Sequence, residues 1–468
     1  MSMALPPKDG EKDDPGPPIE GREQLLAYFA SGEKPRSRFR IGTEHEKFGF
    51  LRETREPLPY EGDRGIEAIL RRISEDEDDT KAHGPWTRVE EAGRIIGLTR
   101  DGASISLEPG GQLELSGAPL ETLHDTCEET GSHLELLKRA CEGLEVGFIG
   151  IGFHPTAAYE DFPTVPKARY GIMREYMPTR GTLGLDMMKR TCTVQANFDY
   201  ESEADMVATM QTALAISPLV VALFANSPFR DGKLTGRVSE RAFVWTDTDR
   251  DRSGYPAVFL QDDFGYETYL EWVLDVPMYF VRRDGQYLPY AGASFRTFMS
   301  EGLDGHVATM RDFEDHLTTV FPEVRLKKYL EVRSADCGPW SRICALPALW
   351  KGVLYDQQAR AAVCDLMASP SSEELSTLHE ACAVDGYRAT YRGRSVQQMA
   401  QELLTISRAG LERLSRRGRH RDETGFLDAL VEEAERGESF SDMLAARFRT
   451  SWGESLDPLW DDLEFFSA

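Results

Sequence analysis

Two glutamates lie two positions apart in IGTEHEKFGF, a strand-like segment near the start of the chain. In a β-strand alternate residues point to the same side, so Glu44 and Glu46 share a face with about 6.5–7 Å between their Cα atoms. Carboxylates at this separation repel each other, and burial raises their pKa values, unless cations lie beside them. The pattern predicts either a site for neighbouring divalent cations or a solvated strand edge with alternating charge.

Three more segments place polar side chains along one face of a predicted strand. In SISLEPGGQLELSGAP, the PGG turn brings Glu108 close to the face that carries Glu114. In TCTVQANFDY, Gln195 belongs to a face made of hydroxyl, amide and carboxylate side chains. In KYLEVRSAD, Glu331 and Arg333 share a face. Each pattern alone has a simpler explanation: a hairpin with its polar face in water, a ladder of hydrogen-bonded amides, or a same-face ion pair.

Together the four strands favour a metal site over these separate explanations. They carry five glutamates, one glutamine and one arginine in the same arrangement. Hard oxygen ligands without cysteine favour Mg²⁺ or Mn²⁺ over zinc. Several carboxylates around more than one such ion, with an arginine nearby, suit the triphosphate of ATP, whose charge the cations and the arginine neutralise.

The composition limits the other classes of function. The chain has 468 residues, with 54 basic and 79 acidic side chains, and therefore a net charge of −25. Such a protein has no general attraction to nucleic acid or to anionic membranes, and we expect neither as a partner. An anionic ligand would need local arginines or bridging cations. Hydrophobic residues make up 41% of the chain, which is enough for a sizeable core.

Cysteine content and the N-terminal segment bear on the location. There are seven cysteines and no C-x-x-C pair, which argues against a zinc or iron–sulfur framework. We expect a reduced cytosolic setting, with one disulfide left open. Residues 1–20 are rich in proline and charge and lack an apolar signal core, so they predict a flexible tail.

The order of the predicted elements indicates an α+β protein. Residues 206–225 are apolar enough to span a membrane, but interrupting polar residues favour a helix buried in a soluble core. The absence of G-x-G-x-x-G and P-loop motifs removes the main support for nucleotide folds of the βαβ type. Helices are predicted at 21–31, 63–73, 120–143, 203–225, 308–319, 346–366, 391–416 and 424–446, and strands at 38–51, 93–99, 103–108, 112–116, 146–151, 191–200, 277–283 and 326–333.

The segments above resemble the plant type of glutamate–cysteine ligase, a family that also occurs in bacteria. The resemblance covers about residues 40–465, nearly the whole chain after the tail. Its many collinear blocks make it specific. They read IGTEHEKFGF, SISLEPGGQLELSGAPLETLH, GTLGLDMMKRTCTVQANFDY, LFANSPF, WTDTDRDRSG, LDVPMYFVRR, HLTTVFPEVRLKKYLEVRSAD and ALPALWKGVLYD.

The resemblance implies a glutamine synthetase-like core in which a curved antiparallel sheet forms a funnel, with surrounding helices. It divides the chain into a tail (1–20), a catalytic core (21–385) and a helical C-terminal segment packed on the core (386–468). It also implies the reaction. ATP phosphorylates the γ-carboxylate of L-glutamate, the amine of L-cysteine displaces phosphate, and γ-glutamylcysteine forms as the first step of glutathione synthesis. Mg²⁺ would bridge ATP and the glutamate.

The resemblance also implies roles for individual residues. Arg333 is expected to contact the γ-phosphate, and Arg241 the α-carboxylate of glutamate, although Arg241 alone would be taken for a surface residue. Met187, Met188 and Tyr176 are candidates for the cysteine pocket, or ordinary core residues. The expected metal ligands are Glu44, Glu46, Glu108, Glu114, Gln195 and Glu331. Further substrate or ATP contacts are expected from Asn226, Asn197, Asp247, Arg250 and Arg252.

Departures from the plant pattern leave regulation and location as expectations. Plant members are regulated by disulfides, and one of these would join Cys344 to a cysteine where this chain has Tyr290. Cys337 is an alternative partner for Cys344. The acidic tail does not resemble a plastid transit peptide, so a cytoplasmic bacterial enzyme is expected, as a monomer or homodimer. A ligase for another amine acceptor, and a non-catalytic sensor on the same fold, are the competing hypotheses.

Overall fold

A computed structural model of the chain describes residues 16–417 and 421–466. Within these residues, nine strands form one antiparallel sheet that carries the predicted polar faces. The strands of the protein are β1 (Ile41–Leu51), β2 (Thr87–Glu91), β3 (Arg94–Arg100), β4 (Ala103–Leu107), β5 (Leu113–Ser116), β6 (Val146–Ile149), β7 (Thr193–Phe198), β8 (Phe229–Arg230), β9 (Lys233–Leu234), β10 (Ser253–Gly254), β11 (Phe280–Arg283), β12 (Gln286–Pro289), β13 (Phe321–Pro322), β14 (Val324–Leu326), β15 (Leu330–Asp336), β16 (Thr390–Tyr391) and β17 (Arg394–Ser395).

The large sheet has the strand order β14-β15-β7-β1-β5-β4-β3-β2, and β6 pairs with the second half of β1. The long strand β1 is therefore central, with β7 on one side and β5 on the other. The shorter strands form two-stranded pairs outside this sheet. This order places β7 between β1 and β15, so three strands that are far apart in the sequence become neighbours in the sheet.

Helices pack on this sheet and on one another. They are α1 (Arg22–Ala30), α2 (Ile66–Glu75), α3 (Glu77–His83), α4 (Leu123–Cys141), α5 (Ala168–Tyr176), α6 (Gly184–Arg190), α7 (Glu203–Phe224), α8 (Glu240–Trp245), α9 (Tyr266–Asp275), α10 (Phe295–Glu301), α11 (Met310–Leu317), α12 (Trp340–Leu354), α13 (Gln357–Met367), α14 (Ser372–Asp385), α15 (Val396–Arg417), α16 (Asp428–Arg436), α17 (Phe440–Arg449) and α18 (Asp457–Leu463).

Local sequence explains where several helices begin. Thr122 and Asp125 form a capping box at the start of α4, in which each side chain accepts a hydrogen bond from the other's backbone N–H. Ser239 caps α8 by accepting a hydrogen bond from the N–H of Ala242. Such caps satisfy backbone donors that the first turn leaves unpaired. In α8 the cap fixes the start of a helix only six residues long.

The apolar helix α7 lies inside the fold. It is long and apolar enough to cross a membrane by length and composition alone, yet 83% of its most apolar window is buried. It packs against β15 and α14, and its residues belong to the larger of two hydrophobic clusters. The smaller cluster lies between the β3–β5 side of the sheet and helices α2 and α4. The sheet is thus covered by apolar side chains that hold its polar face in place.

The C-terminal helices are joined to the rest of the chain at both ends. Helix α15 packs along α12, and the last described residues return to the large sheet. There the N–H of Phe465 donates to the carbonyl oxygen of Phe148 at 3.0 Å. Arg52 donates to both carboxylate oxygens of Glu464. Of the predicted tail, residues 1–15 lie outside the described residues, and Ile19 donates from its N–H to the carbonyl oxygen of Ala308.

Candidate active site

Strand register places the predicted site residues side by side. Glu46 lies directly opposite Glu114, and Glu44 lies opposite Gln195. Residues directly opposite on antiparallel strands project from the same face, with Cβ atoms about 4.5–5.5 Å apart. Arg333 extends the row from β15, where its Nη1 donates to the Oε1 of Gln195 at 2.5 Å. The structure therefore brings polar residues from four strands onto one face.

This face is buried, and burial perturbs its carboxylates. The pKa of Glu44 is raised to about 7, first by burial and then by repulsion from Glu331 and Glu114. The pKa of Glu46 is raised to about 8, with burial as the largest cause and repulsion from Glu108 and Glu114 adding to it. Burial likewise raises the pKa of Glu108. A buried group of mutually repelling carboxylates is the environment in which cations bind most favourably.

Neutral donors hold individual carboxylate oxygens in place. The Nδ2 of Asn197 donates a hydrogen bond to the Oε1 of Glu44 at 2.8 Å. The backbone N–H of Thr193 donates one to the Oε2 of Glu46 at 2.9 Å. The hydroxyl of Ser106 donates one to the Oε2 of Glu114 at 2.8 Å. Among the described residues, the Oε2 of Glu44 is buried without a hydrogen-bond donor. An orphaned carboxylate oxygen of this kind fits a divalent cation, which takes oxygen ligands.

The carboxylates are not gathered into a preformed metal cage. Within the described part of the chain, no three carboxylate, histidine or cysteine side chains converge closely enough to hold an ion. The donor chemistry therefore fits a divalent cation, while the final ligand geometry would have to form on binding. Side-chain rotation would suffice, because the strand register already sets the backbone positions of Glu44, Glu46 and Glu114.

Glu331 occupies a different environment from the other predicted ligands. Arg325 donates from Nη2 to both of its oxygens, at 2.6 and 2.7 Å. The Nζ of Lys327 lies 3.3 Å away, and Arg333 contacts the Oε1 atom. These three cations hold the pKa of Glu331 well below its usual value even though burial opposes them. Metal binding by Glu331 would have to displace some of these contacts, so its role stays a prediction.

Two cavities are lined by residues of the polar face. The larger, of about 820 Å³, is lined by Glu44 together with Lys34, Arg40, Arg100 and Tyr329. We call it the large chamber. The smaller has a volume of about 30 Å³, and we call it the small chamber; its lining includes Glu46, Glu108, Met187, Met188, Arg241, Trp245 and Arg333. Glu44 and Glu46, two residues apart on β1, thus line different chambers.

Arg241 is a buried residue of the site. It is 3% exposed, and its Nη2 donates to the backbone carbonyl oxygen of Arg333 at 2.8 Å. Burial lowers its pKa, which the nearby Asp336, Glu323 and Glu46 oppose. Because helix α8 carries both Arg241 and Trp245, the position of this short helix determines much of the lining of the small chamber.

Asp336 anchors helix α8 to the end of β15. Its Oδ1 accepts a hydrogen bond from the hydroxyl of Ser239, the N-cap of α8, at 2.8 Å. Its Oδ2 accepts one from the hydroxyl of Ser227 at 2.6 Å and one from the backbone N–H of Asn226 at 2.8 Å. Ser227 Oγ in turn accepts a hydrogen bond from the N–H of Arg241. A buried carboxylate therefore ties the strand of Glu331 and Arg333 to the helix of Arg241.

Four predicted substrate contacts have structural partners instead of facing either chamber. The Nδ2 of Asn226 donates to the carbonyl oxygens of Gly150 and Cys337. Asp247 accepts hydrogen bonds from Thr182 and lies outside the lining of both chambers. Arg252 is fully buried in an ion pair with Asp249, at 2.6 Å. Arg250 is 81% exposed and lines a separate surface cavity with Trp245.

Several residues of the site were not predicted. Arg325 and Lys327 lie on or just after the short strand β14, where the sequence suggested only the start of a longer strand. Arg169 lies near Glu108 and lowers its pKa, against the effect of burial. Trp245 lines the small chamber, and its Nε1 is buried without an acceptor among the described residues. An arginine or tryptophan with no local pattern around it gave no signal for these roles.

The opposite face of β1 carries buried side chains that contact helix α4. His45 is fully buried, with its Nδ1 3.0 Å from the Nζ of Lys47, and its ring contacts that of His133 on α4. Nearby, the cysteine pairing differs from both expected alternatives. Cys344 forms a disulfide with Cys127, 217 residues away, and Cys337 is a free thiol that donates to the carbonyl oxygen of Glu46.

Comparisons with known proteins identify the family of this chain. The model of the family described as glutamate–cysteine ligase family 2 (GCS2) matches residues 40–462. The chain is 47% identical over 445 residues to the chloroplastic glutamate–cysteine ligase of Brassica juncea, covering 94% of this chain and 84% of that protein. It is also 47% identical to the chloroplastic glutamate–cysteine ligase B of Oryza sativa subsp. japonica, covering 94% and 87%.

A crystal structure of glutamate–cysteine ligase from Francisella tularensis in complex with AMP has a similar fold. The TM-score is 0.51 at 10% sequence identity, covering 91% of this chain and 87% of that one. At this identity the likeness concerns the fold alone. It confirms the predicted α+β class with an antiparallel sheet and surrounding helices.

The class of protein follows from these findings: the chain is a ligase. Specifically, it belongs to the glutamate–cysteine ligase family, whose model spans all four strands of the polar face. The family predicted from the sequence is confirmed. The expected cytoplasmic location is wrong by the same comparison, because the similar plant proteins are named as chloroplastic ligases.

Proposed function

We propose that this ligase uses ATP and a divalent cation to form γ-glutamylcysteine through a γ-glutamyl phosphate. A γ-carboxylate oxygen of L-glutamate attacks the terminal phosphorus of ATP, and ADP leaves. The amine of L-cysteine then attacks the acyl carbon, the C–O bond to phosphate breaks, and the amine loses a proton. A carboxylate is a poor acyl donor at neutral pH, so phosphorylation supplies the leaving group that amide formation needs.

The observation that carries this proposal is that Glu44 and Glu46, on the same face of β1, line two different chambers. The large chamber has the volume of a typical nucleotide-sized ligand site and carries Lys34, Arg40 and Arg100 on its lining. The small chamber carries Arg241 and Arg333. Phosphoryl transfer requires the nucleotide and the acceptor carboxylate to meet, and one strand, β1, contributes a carboxylate to each of the two chambers.

Mg²⁺, with Mn²⁺ as an alternative, is the cation that the oxygen donors favour. Glu44, Glu46, Glu108 and Glu114 are the residues that would hold it, joined by Gln195 through its amide oxygen. When bound, the cation neutralises phosphate charge and orients the γ-phosphate. This accounts for how a protein with a net charge of −25 binds a polyanion.

The remaining residues bind and orient substrate. Arg241 presents a buried guanidinium for the α-carboxylate of glutamate, and Arg333 presents one for charge on the transferred phosphoryl group. The small chamber holds only about 30 Å³, far below the roughly 300 Å³ or more of typical ligand sites, so binding of glutamate would require lining side chains such as Trp245 and Met187 to move. Closure around the substrate then keeps water from the acyl phosphate.

The test is ADP release by the purified chain with ATP, Mg²⁺ and L-glutamate, with and without L-cysteine and other amines. Cysteine-dependent ADP release is expected, and equal or faster turnover with another amine would favour the alternative acceptor. Replacing Glu46 by Gln should lower turnover by about 100-fold while leaving the fold intact, because it removes a charge on which cation binding depends. The exposed Glu56→Gln is the matched control. Near-normal activity of Glu46→Gln would remove this residue from the metal set.

A further inference from the structure

A third cavity, which we call the lysine cavity, shares a wall with the small chamber. Its volume is about 390 Å³, and its lining includes Lys189, Arg174, Tyr159 and Glu91. Pro109 and Met188 line both this cavity and the small chamber. A ligand in the lysine cavity would therefore contact Pro109 and Met188, which also line the small chamber together with Glu46 and Glu108. None of the site residues predicted from the sequence lies on its lining except Met188.

Lys189 is a buried cation that makes no direct ion pair with a carboxylate in the part of the chain that the structure describes. Its residue is 8% exposed, and its Nζ donates to the carbonyl oxygen of Phe162 at 3.2 Å and lies 4.5 Å from the centre of the Tyr159 ring. Among the described residues it makes no ion pair with a carboxylate. Burial, and after it the charge of Arg174, lowers the pKa of Lys189, against the attraction of Glu160. Arg174 and Lys167, whose Nζ donates to the carbonyl oxygen of Leu107, line the same cavity, so three cationic side chains surround it.

The backbone of Lys189 is fixed to the turn that carries Glu108. Gly110 packs so tightly that a Cβ atom there would lie 2.5 Å from the carbonyl oxygen of Lys189. Gln112 holds the same region, since its Nε2 donates to the carbonyl oxygens of Met188 and Thr191, at 3.3 and 2.9 Å. The position of Lys189 relative to the metal carboxylates is therefore set by backbone contacts rather than by a mobile loop.

A buried ammonium group that makes no direct ion pair indicates an anionic ligand, because the ligand would restore the charge balance that burial requires. The size of the cavity admits an amino acid or a short peptide. A single carboxylate suits it better than a polyphosphate, since Glu91 also lines the cavity, where its Oε1 accepts a hydrogen bond from the N–H of Ala168. The α-carboxylate of glutamate already has a partner in Arg241, in the small chamber.

We propose that Lys189, assisted by Arg174, binds the α-carboxylate of the amine acceptor and directs its amino group past Pro109 and Met188 toward the acyl phosphate. This inference rests on the proposed function, since it assigns one substrate of that reaction to a cavity. The lysine cavity determines that the acceptor is an amino acid rather than a simple amine. The Met188 side chain on the shared wall lies where the acceptor's own side chain would pass.

The test measures KM for each substrate in Lys189→Met and in the charge-conserving Lys189→Arg. In Lys189→Met we expect KM for L-cysteine to rise about 10- to 100-fold, the effect of losing one charge-assisted hydrogen bond, with KM for ATP and for L-glutamate within about twofold. Lys189→Arg should restore most of the affinity for cysteine. Lys81→Met, at a lysine that is 70% exposed, is the matched control. Cysteamine, which has the thiol and amine of cysteine but no carboxylate, should be turned over equally by wild type and Lys189→Met.

An unchanged KM for cysteine in Lys189→Met would overturn the proposal, and so would an equal loss with cysteamine. Where wild type does not turn over cysteamine, the KM for cysteine decides alone. A parallel rise in KM for all three substrates would also overturn it, because that result shows a structural role. Failure of the wild-type protein to release ADP with glutamate and cysteine would reject the proposed function itself, and the two failures are thereby distinguished.

Discussion

Replacing Glu129 by Gln should change how the stability of the protein depends on pH. Glu129 lies on α4, where its Oε1 accepts a hydrogen bond from the backbone N–H of Ala118 at 2.9 Å. Burial raises its pKa from 4.5 to about 7, against the effect of this hydrogen bond and of Arg100. Gln keeps the acceptor and the shape but cannot ionise, so the substitution isolates the cost of the buried charge.

The size and sign of the effect follow from the raised pKa of Glu129. In the folded state the group keeps its proton up to about pH 7, whereas in the unfolded chain it loses it near pH 4.5. Its stabilising contribution is therefore complete below the unfolded pKa and is lost as the pH rises through the folded pKa. Each unit by which the pKa differs between the folded and unfolded states corresponds to about 1.4 kcal/mol. The pKa rises from 4.5 to about 7, so the free energy of unfolding should fall by about 2–3 kcal/mol once partial screening by solvent is allowed for.

The assay is urea unfolding at about pH 5 and about pH 8, followed by circular dichroism. We expect Glu129→Gln to gain about 2 kcal/mol of stability relative to wild type on going from the lower to the higher pH. Glu128→Gln, at the exposed neighbouring carboxylate on the same helix, is the control and should show no such change. A Glu129→Gln protein whose stability difference from wild type is the same at both pH values would refute the reasoning.

Two other substitutions test contacts that the structure shows. In Asp336→Asn, an amide N–H₂ group would face hydrogen-bond donors that the carboxylate of Asp336 accepts from. Because this mismatch should displace α8 and Arg241, we expect KM for L-glutamate to rise about tenfold and KM for ATP to change little. An unchanged glutamate KM in steady-state kinetics would contradict this role. Cys127→Ser removes the disulfide to Cys344 and should lower the free energy of unfolding by about 2–4 kcal/mol. Dithiothreitol should lower the free energy of unfolding of the wild type by a similar amount and leave that of the variant unchanged. Equal free energies of unfolding for wild type and variant without reductant would contradict a stabilising role for this disulfide.

The strands of the site could be predicted because two independent patterns coincide there. Alternation sets which residues share a face, and burial of the opposite face fixes the register, since a slip by one residue would expose the apolar set. The observed pairing of Glu46 with Glu114 and of Glu44 with Gln195 follows from this. Predicted and observed limits of β1, β4 and β5 differ by at most three residues.

Helical parts were less predictable where the chain turns without a strong signal. The predicted helix at 346–366 is the end of α12 followed by α13, and the interruption falls at Tyr355, before Asp356 caps the second helix. The predicted strand at 326–333 overlaps two strands, β14 and β15. Helix α8, which carries Arg241, is too short for helical periodicity to be detected. Its place is determined by long-range hydrogen bonds to Asp336, which no local pattern reveals.

Pairing between distant residues was the least predictable property. The sequence offered Cys337 and the position of Tyr290 as partners for Cys344, because one is near in sequence and the other is suggested by resemblance. The structure instead pairs Cys344 on α12 with Cys127 on α4, since those two helices pack together with the two Cα atoms 5.7 Å apart. In the same way Arg325 neutralises Glu331 across a strand pair that the sequence did not separate.

The carboxylates of Glu331 and Glu44 differ in how the protein neutralises their charge, and this difference indicates where a cation and a phosphoryl group would bind. Glu331 is neutralised by Arg325, Lys327 and Arg333, so that end of the face has cationic groups that an anion can engage. Glu44, on the strand beyond β7, has one amide donor and one buried oxygen without a donor among the described residues. A fold that keeps such a carboxylate buried sacrifices stability there, which is typical of a functional site. We therefore expect a bound cation at Glu44 and the transferred phosphoryl group beside Arg333, an arrangement that would give the orphaned oxygen of Glu44 a partner.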